Sequence, residues 1–337
     1  MSASPVIVEI DLDAPGRTFG RIRVPFSTNE CGWNTVPVPV VSIANGSGPT
    51  VLLTAGNHGD EYEGQVALLD LAKELDPARV SGRVILMPAM NMPAARAGVR
   101  RTPLDDRDFN RCFPGDPRGS FSPVLAHWID AVLLPRCDAQ MDLHSGGLGM
   151  DIVPSAVGHV LPDPAYMART LAMADAFGAP VSLLLREVNA GPTLLAAAEA
   201  RGIPALSSEL GGGRRLPATN LAITSRGVRA LLVHLEVADL DVTPPPERSR
   251  RMTTPDMSFY VFAPHAGIFE HAHALGAAVR AGEVAGRLHR IEDPSAPPTI
   301  LHYAADGMLW CGRAAARVGE GEPVCVLARD LRPEDLS

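Results

Sequence analysis

The segment from Thr50 to Leu75 constrains the fold of this chain more than any other part of its 337 residues. It opens with a short apolar run, Thr50–Thr54, which is typical of a buried β-strand. After a polar turn, the apolar residues of Glu61–Leu75 recur at helical spacing, which predicts an amphipathic helix. A buried strand that leads directly into a helix is the repeating unit of α/β proteins, whose ligands bind at the carboxyl ends of the strands.

Two side chains that bind metals well occur at this strand-to-helix junction. His58 and Glu61 are three residues apart, so both can reach one point beyond the end of the strand. A second short apolar segment, Ala139–Leu143, ends in the same way, with His144 followed by glycines. Because catalytic zinc takes three protein ligands and keeps one position for water, we predict a zinc site formed by His58, Glu61 and His144.

Asp142 lies two residues before His144, on the same face of its predicted strand. A carboxylate there is expected to orient a histidine ligand. The alternative is that His58 only caps a helix and His144 is an ordinary loop residue. Two histidines at strand ends, with Glu61 at the matching spacing, favour the metal site.

A further carboxylate, Glu209, ends the buried-strand pattern Ile203–Ser208 and is followed, after Leu210, by three glycines. A carboxylate near a metal but not bound to it can take a proton from water and deliver it to a leaving nitrogen. We therefore predict that Glu209 is a general acid/base. The glycines alone would also suit a phosphate-binding loop, but the chain contains no Gly-x-x-x-x-Gly-Lys pattern.

The polar segment from Arg96 to Gly115 is long enough to be a functional loop rather than a simple connection. Within it, Asn110 and Arg111 are suited to bind a substrate carboxylate through an amide and a guanidinium fork. An upstream arginine, Arg101 or Arg100, is suited to stabilise negative charge on a carbonyl oxygen. Taken alone, the segment favours a solvated surface loop whose arginines pair with Asp105, Asp106 and Asp108.

Strand and helix patterns alternate up to about residue 240, which predicts a mixed, mostly parallel sheet covered by helices on both faces. The polar, proline-rich stretch 241–250 then interrupts the alternation and suits an extended linker. Beyond it, short apolar pieces separated by glycines predict a small β-domain. The sequence thus predicts an α/β catalytic domain over residues 1–243 and a C-terminal β-domain over residues 244–337.

Composition narrows the class of protein. At 46% hydrophobic residues the chain can bury a full core, and no apolar stretch is long enough to span a membrane. A net charge of −8 does not favour binding to nucleic acid. The N-terminus does not have the pattern of a signal peptide, and the five cysteines are scattered, which favours reduced thiols in a cytoplasmic protein. Exposed strand edges in the β-domain would permit a homo-oligomer.

Four motifs, taken in order, resemble the succinylglutamate desuccinylase/aspartoacylase family of zinc amidohydrolases. They are His58-Gly-Asp-Glu61, Asp108-Phe-Asn-Arg-Cys-Phe113, Asp142-Leu-His144 and Glu209-Leu-Gly211. The resemblance covers nearly the whole chain and implies a zinc-carboxypeptidase-like core with an appended β-domain. Within the family, the stretches Phe26–Val40 and Arg101–Asp106 look most like the deacetylases that act on N-acetyl-2,4-diaminobutyrate in ectoine degradation.

The resemblance implies a role for each candidate residue. It makes His58, Glu61 and His144 the ligands of one zinc ion and Glu209 the general acid/base. Asn110 and Arg111 would hold the carboxylate of a small N-acyl amino acid, and Arg101 or Arg100 would polarise the acyl carbonyl. N-succinylglutamate and N-acetylaspartate are the alternative substrates that the family offers.

The C-terminal segment also has a fainter likeness to a lipoyl-type half-motif, at Gly267–His271 and Leu275–Gly286. It has no lysine to carry a cofactor, so a swinging-arm function is excluded. Glu270 is a candidate to bind the side-chain ammonium of diaminobutyrate. The chain lacks a Gly-x-Ser-x-Gly elbow, which disfavours serine catalysis, whereas a non-catalytic amino-acid-binding module is the alternative from a different class.

Overall fold

A computed structural model describes residues 4–186 and 191–336 of the chain. The helices of this part are α1 (Glu63–Glu74), α2 (Met92–Ala97), α3 (Phe121–Trp128), α4 (Pro164–Phe177), α5 (Leu194–Ala200) and α6 (Ala218–His234). The strands before residue 244 are β1 (Ile7–Glu9), β2 (Gly16–Phe26), β3 (Asn34–Asn45), β4 (Thr50–Ala55), β5 (Gly82–Met87), β6 (Ala139–Leu143), β7 (Met150–Ile152), β8 (Ser155–His159), β9 (Val181–Leu185) and β10 (Ala205–Glu209). The later strands are β11 (Arg250–Thr253), β12 (Tyr260–Phe262), β13 (Gly267–His271), β14 (Ala278–Val279), β15 (Val284–His289), β16 (Thr299–His302), β17 (Gly307–Arg313), β18 (Arg317–Val318) and β19 (Pro323–Asp330).

One large mixed sheet organises the molecule. Its strands follow the order β1-β2-β3-β5-β4-β6-β10-β8-β9-β11-β19-β17-β14, with β7 and β12 attached to β17 and β19. The central strands β5, β4, β6 and β10 are parallel, so their carboxyl ends meet at one edge of the sheet. Strand β8 runs antiparallel to β10, and β9 and β11 run parallel to β8.

Helices cover both faces of this sheet, as the alternating sequence pattern predicts. On one face, α1, α4 and α6 bury Leu68, Phe177 and Leu231 in a common core with Leu53 and Met141 of the strands. On the other face, α3 and α5 bury their apolar residues against β4 and β5 and against the long β2–β3 hairpin. The predicted fold class is therefore confirmed.

Strand β4 and helix α1 lie close to the bounds predicted from the segment Thr50–Leu75, and the small difference in their bounds affects the site. The strand extends to Ala55, and α1 begins at Glu63 rather than at Glu61. No side chain caps the helix at Tyr62. His58 and Glu61 therefore both lie in the turn between the strand and the helix.

The C-terminal part forms a small antiparallel sheet, β16-β15-β13-β18, as predicted for a β-rich segment. Other strands of this part join the large sheet, since β11 pairs with β9 and β17 pairs with β7. Trp310, Cys311 and Val326 share a core with Val157 and Leu183 of the preceding part. The division into domains at residues 243 and 244 stays a prediction. Within the described part of the chain, no helix is both long and apolar enough to cross a membrane.

Candidate metal centre

The site forms where three parallel strands end side by side. Strand β6 lies between β4 and β10, and Ala55 at the end of β4 is in register with Leu143 at the end of β6. His144 directly follows Leu143, and Glu209 is the last residue of β10. The strand ends therefore bring together residues that are far apart in the sequence.

Two glycines allow the turn that carries His58 and Glu61 to approach this edge closely. A β-carbon on Gly64 would overlap the side chain of Leu143, and one on Gly59 would overlap the backbone of Ala94. Glycine at position 64 lets the start of α1 pack directly against the end of β6, and glycine at position 59 lets the turn pass close to the backbone of α2. This packing puts Glu61 within reach of His144.

The three predicted metal ligands form one buried cluster. Their ligand atoms all lie within 4.8 Å of one another, and among the described residues this is the group that could hold an ion. Glu61 lies between the two histidines, with Oε1 2.6 Å from Nδ1 of His58 and Oε2 2.9 Å from Nδ1 of His144. The exposed fractions of the three residues are only 2–6%, so any bound cation would be largely shielded from solvent.

Each histidine uses its other ring nitrogen to contact a carboxylate. Nε2 of His58 is 3.1 Å from Oδ1 of Asp108, and Nε2 of His144 is 2.7 Å from Oδ2 of Asp142. A proton on Nε2, donated to the carboxylate, leaves a lone pair on Nδ1, the nitrogen that faces Glu61. Metal-binding histidines are usually oriented in this way, so the donor set fits a catalytic zinc-type site.

The sequence predicts that Asp142 orients a histidine, but it does not predict the same role for Asp108, which it suggests only as a partner for arginines of the loop. Asp108 comes from the long loop, two residues before Asn110. Nor does the sequence predict the roles of Thr54 and Asn57, whose side chains donate hydrogen bonds to Asp142. The proximity of Asn57 to His58 in the sequence was the available signal.

The electrostatics reflect a dense cluster of opposite charges. Burial opposes charge on the histidines, but Glu61 and Asp108 hold the pKa of His58 above its usual value. Burial likewise opposes charge on His144, whose pKa Asp142 and Glu61 nevertheless raise well above normal. Although burial acts in the other direction, the imidazoles hold the pKa of Glu61 well below its usual range. The cluster thus favours charged carboxylates around a cationic centre.

Glu209 has a different electrostatic environment. Burial raises the pKa of its carboxyl group to about 7, and the negative charge of Glu61 acts in the same direction. Its Oε2 atom is buried and accepts no hydrogen bond from the described residues. A carboxyl group with a pKa near neutrality and an oxygen without a protein partner is suited to exchange protons with a bound molecule.

The two candidate arginines differ clearly in position. Arg100 binds Oδ2 of Asp108 through Nε and NH2, at 3.1 and 2.9 Å, and its NH1 lies 3.4 Å from Nδ1 of His58. Arg101 instead pairs with the side chain and backbone carbonyl of Asp106, on the surface. Arg100 therefore lies at the predicted metal ligands and Arg101 points away from them, so the structure favours Arg100 over Arg101.

Asn110 and Arg111 lie in a short 3₁₀ turn at Phe109–Arg111, and the side chain of Asn110 reaches the cluster. Nδ2 of Asn110 is 3.4 Å from Nε2 of His144, and its Oδ1 accepts a hydrogen bond from the backbone of Leu194. The Arg111 side chain is exposed and lines a cavity of about 660 Å³, a size that suits a small ligand. Asn110 is thus available to a molecule bound at the cluster, whereas Arg111 borders a cavity whose other lining residues include Thr193 and Tyr260 but not the clustered ligands.

Glu270 lies elsewhere, on β13 of the small sheet. Its carboxylate accepts hydrogen bonds from Arg287 at 2.6 and 3.0 Å and contacts His289 at 3.1 Å, all on the surface. The positive charge of Arg287 compensates the negative charge of the Glu270 carboxylate. Its predicted role in binding an ammonium group stays a prediction, and nothing in its contacts supports it.

A mixed α/β sheet thus carries, at and just beyond its strand ends, two histidines and a glutamate that could hold a metal ion, with the carboxyl group of Glu209 close by. Residues 47–235 match the model of the succinylglutamate desuccinylase/aspartoacylase catalytic domain. The chain belongs to this family.

Relatives match over almost their whole length. N-alpha-acetyl-L-2,4-diaminobutyric acid deacetylase of Halomonas elongata is 40% identical over 325 residues, which cover 96% of this chain and 95% of that protein. A crystal structure of a succinylglutamate desuccinylase/aspartoacylase from Rhodobacter sphaeroides superposes with a TM-score of 0.94 at 45% identity, covering 98% of this chain and all of the other. The product-bound ectoine utilization protein EutE (DoeB) of Ruegeria pomeroyi gives a TM-score of 0.94 at 36% identity, covering 97% of this chain and all of the other.

Proposed function

We propose that this protein is a zinc-dependent amidohydrolase that removes the acyl group from a small N-acyl amino acid. The observation that carries the proposal is the buried cluster of His58, Glu61 and His144 beside the unbonded Oε2 of Glu209. Two imidazoles and a carboxylate are a common ligand set for catalytic zinc. A divalent cation held there would supply electrophilic catalysis, drawing electron density from the acyl oxygen and from the attacking water.

The protein side chains would then divide the remaining tasks. Glu209 accepts a proton from the attacking water at its carboxylate and later donates it to the amide nitrogen as the carbon–nitrogen bond breaks. Arg100, held by Asp108 with NH1 near His58, donates to the acyl oxygen as negative charge develops there. One water and one amide thus yield one carboxylic acid and one free amine.

We propose N-α-acetyl-L-2,4-diaminobutyrate as the substrate, with 2,4-diaminobutyrate and acetate as products. The support is the 40% identity, across nearly the full length of both chains, to a deacetylase named for that substrate. Asn110 and Arg111 would bind the carboxylate of the amino acid, next to the cavity that Arg111 lines. N-succinylglutamate and N-acetylaspartate are the alternatives suggested by the name of the family.

We also infer that the protein works in the cytoplasm on a freely diffusing small molecule. Its five cysteines are unpaired in the structure, and three of them are buried. Unpaired thiols of this kind are usual in a reducing compartment.

The experiment that tests the proposal measures, on the same preparation, metal content and the release of the free amino acid, which every substrate of the panel yields together with acetate or succinate. The panel contains acetyl-diaminobutyrate acetylated at either nitrogen, N-acetylaspartate and N-succinylglutamate. N-acetyl-2-aminobutyrate, which lacks only the side-chain amine, is the matched control. We expect one zinc per chain and turnover of the α-acetylated diaminobutyrate well above the others.

Each other outcome has a defined meaning. Zinc with preference for another substrate keeps the mechanism and rejects the substrate. Binding of zinc and of N-acyl amino acids without turnover identifies a binding module instead of an enzyme. The absence of stoichiometric metal and of turnover, after incubation with zinc, rejects the proposal as a whole.

A further inference from the structure

The C-terminal strand β17 approaches the site from the side of Glu209. Cys311 and Gly312 of β17 pair with Ile152 and Asp151 of the short strand β7. The backbone N–H of Val153, just after β7, donates to the carbonyl of Trp310 at 3.0 Å. A strand from the last tenth of the chain is thus joined by backbone hydrogen bonds to the segment that follows His144.

The segment that follows His144 also forms backbone hydrogen bonds with the loop that follows Glu209. The N–H groups of Gly146 and Ile152 both donate to the carbonyl of Gly211, at 2.9 and 3.2 Å. The N–H of Gly213 donates to the carbonyl of Met150 at 3.1 Å. Strand β7 therefore connects the backbone around Glu209 with the backbone of β17.

A side-chain contact parallels this backbone connection. Ser155 of β8 is directly opposite Glu209 of β10 in the antiparallel pair, so their side chains lie on one face of the sheet. Nε1 of Trp310 donates a hydrogen bond of 2.8 Å to Oγ of Ser155, and both residues are buried. Oγ of Ser155 in turn donates to the carbonyl of Val153 at 2.5 Å. The hydroxyl group is therefore oriented by one hydrogen bond that it accepts and one that it donates.

The neighbouring Cys311 marks the proximity of β17 to Glu209. Burial raises the pKa of this thiol well above its usual value, and the charge of Glu209 is the next contribution. Trp310 and Cys311 belong to one apolar cluster with Ile152 and Val157. These apolar side chains lie on the side of Glu209 from which β17 approaches, and burial of its carboxyl group disfavours the charged form.

We propose that Trp310 is a positioning residue for Glu209, acting through its hydrogen bond to Ser155. The inference depends on the acid/base role of Glu209 in the proposed function. On this view β17 completes the wall of the site, and its tryptophan holds Ser155 and β8 against the strand end that carries Glu209. Trp310 would not contact the substrate, because Asn110 and Arg111 bind the substrate from another element.

The test compares Trp310→Phe and Ser155→Ala with wild type, using the metal-loaded full-length enzyme and its best substrate from the panel. Trp310→Phe keeps an aromatic ring but removes the N–H donor. We expect each variant to lose on the order of 10-fold to 100-fold in kcat with KM unchanged, because small displacements of a catalytic group are costly. The double variant should lose no more kcat than the single variant with the larger loss, since both changes break the same hydrogen bond.

Two further measurements separate positioning from general packing. Metal content and Tm are recorded for every variant, and Trp128→Phe is the matched control, because Trp128 is a buried tryptophan of α3 that packs in a different core cluster from Trp310. We expect the control to lower Tm without lowering kcat, and Trp310→Phe to keep its metal.

The inference is rejected if Trp310→Phe lowers Tm but keeps the kcat of wild type, or if the losses of the two single variants add. A rise in KM at unchanged kcat would also reject it, because that result assigns Trp310 to substrate binding. Failure of wild type to act on any N-acyl amino acid would instead reject the proposed function.

Discussion

At the scale of single residues, Asp108 connects two functions that the sequence suggests separately. One carboxylate oxygen contacts His58, and the other accepts two hydrogen bonds from Arg100. A single side chain thus fixes the orientation of a predicted metal ligand and the position of the predicted oxyanion donor. Hydrogen bonds between charged groups are stronger than neutral ones, so these contacts favour one arrangement of the two side chains before substrate binds, although Arg100 is half-exposed.

The contrast between Arg100 and Arg101 gives a direct prediction. We expect Arg100→Ala to lose on the order of 10² to 10³ in kcat, as measured for the removal of other oxyanion donors. Arg101→Ala should keep activity within about threefold, because surface pairs such as Arg101–Asp106 contribute little. Steady-state kinetics on the two variants decide between the arginines. A larger loss in Arg101→Ala would reverse the assignment.

Glu209→Gln tests the acid/base role. The amide keeps the size of the side chain but cannot take up the proton of water, so turnover should fall by about 10² to 10⁴. Zinc content should stay at the level of wild type, because Glu209 is not one of the three clustered ligands. Glu320→Gln, which changes an exposed carboxylate, is the control. An active Glu209→Gln variant would remove Glu209 from the mechanism.

These residues also show what a sequence can predict about a site. His58, Glu61 and His144 were predictable because each follows a recognisable buried strand, and parallel strands end at one edge. The choice between Arg100 and Arg101 was not, since adjacent residues in an irregular loop point in directions set by their partners, here Asp108 and Asp106. The contact of Asp108 with His58 spans fifty residues and has no local signal.

At the scale of elements, the last strand and the turn that follows it depend on a single carboxylate. After β19, Asp335 accepts two hydrogen bonds from Arg329, at 2.7 and 2.8 Å, and one from the backbone of Arg332. These contacts lower the pKa of Asp335, with the Arg329 hydrogen bond as the main cause. The chain end is therefore held against the strand in a way that depends on pH.

Asp335→Asn should lower the free energy of unfolding by about 1 kcal/mol at pH 7. Because the pKa of Asp335 is lowered on folding, its contribution is complete above the unfolded value of about 4 and is lost as the pH falls through the folded value. The difference from wild type should thus shrink below about pH 4, where both proteins carry a neutral group. Urea titrations at several pH values check this, with the exposed Glu292→Gln as control. A difference that stays constant with pH would contradict it.

At the scale of the whole molecule, the large sheet does not end where the α/β pattern ends. Strands β11, β19 and β17 extend it, and their apolar residues share a core with β8 and β9. The fold class was predictable, because alternation of strand and helix patterns is a local property. The pairing of β17 with β7 was not, because it joins segments about 160 residues apart and the three-residue strand β7 is too short to be recognised.

This shared core predicts the behaviour of a truncated chain. A protein ending at residue 243 would expose Ile152, Val157, Val181 and Leu183, which the C-terminal strands cover. Exposed apolar area of this kind promotes aggregation, so we expect the truncated chain to be insoluble or to lack a cooperative unfolding transition. Circular dichroism and gel filtration provide the measurement. A soluble, cooperatively folded fragment would support independent domains at the predicted boundary.

The late position of β17 in the chain has a consequence for synthesis. During translation, the residues of the metal cluster and Glu209 leave the ribosome well before Trp310 and Cys311. Until β17 pairs with β7, the apolar residues of β7, β8 and β9 that it covers stay exposed, so the core beside Glu209 is incomplete in the nascent chain. The proposed site would therefore be complete only when the final strand is in place, and prematurely released chains would aggregate without consuming substrate.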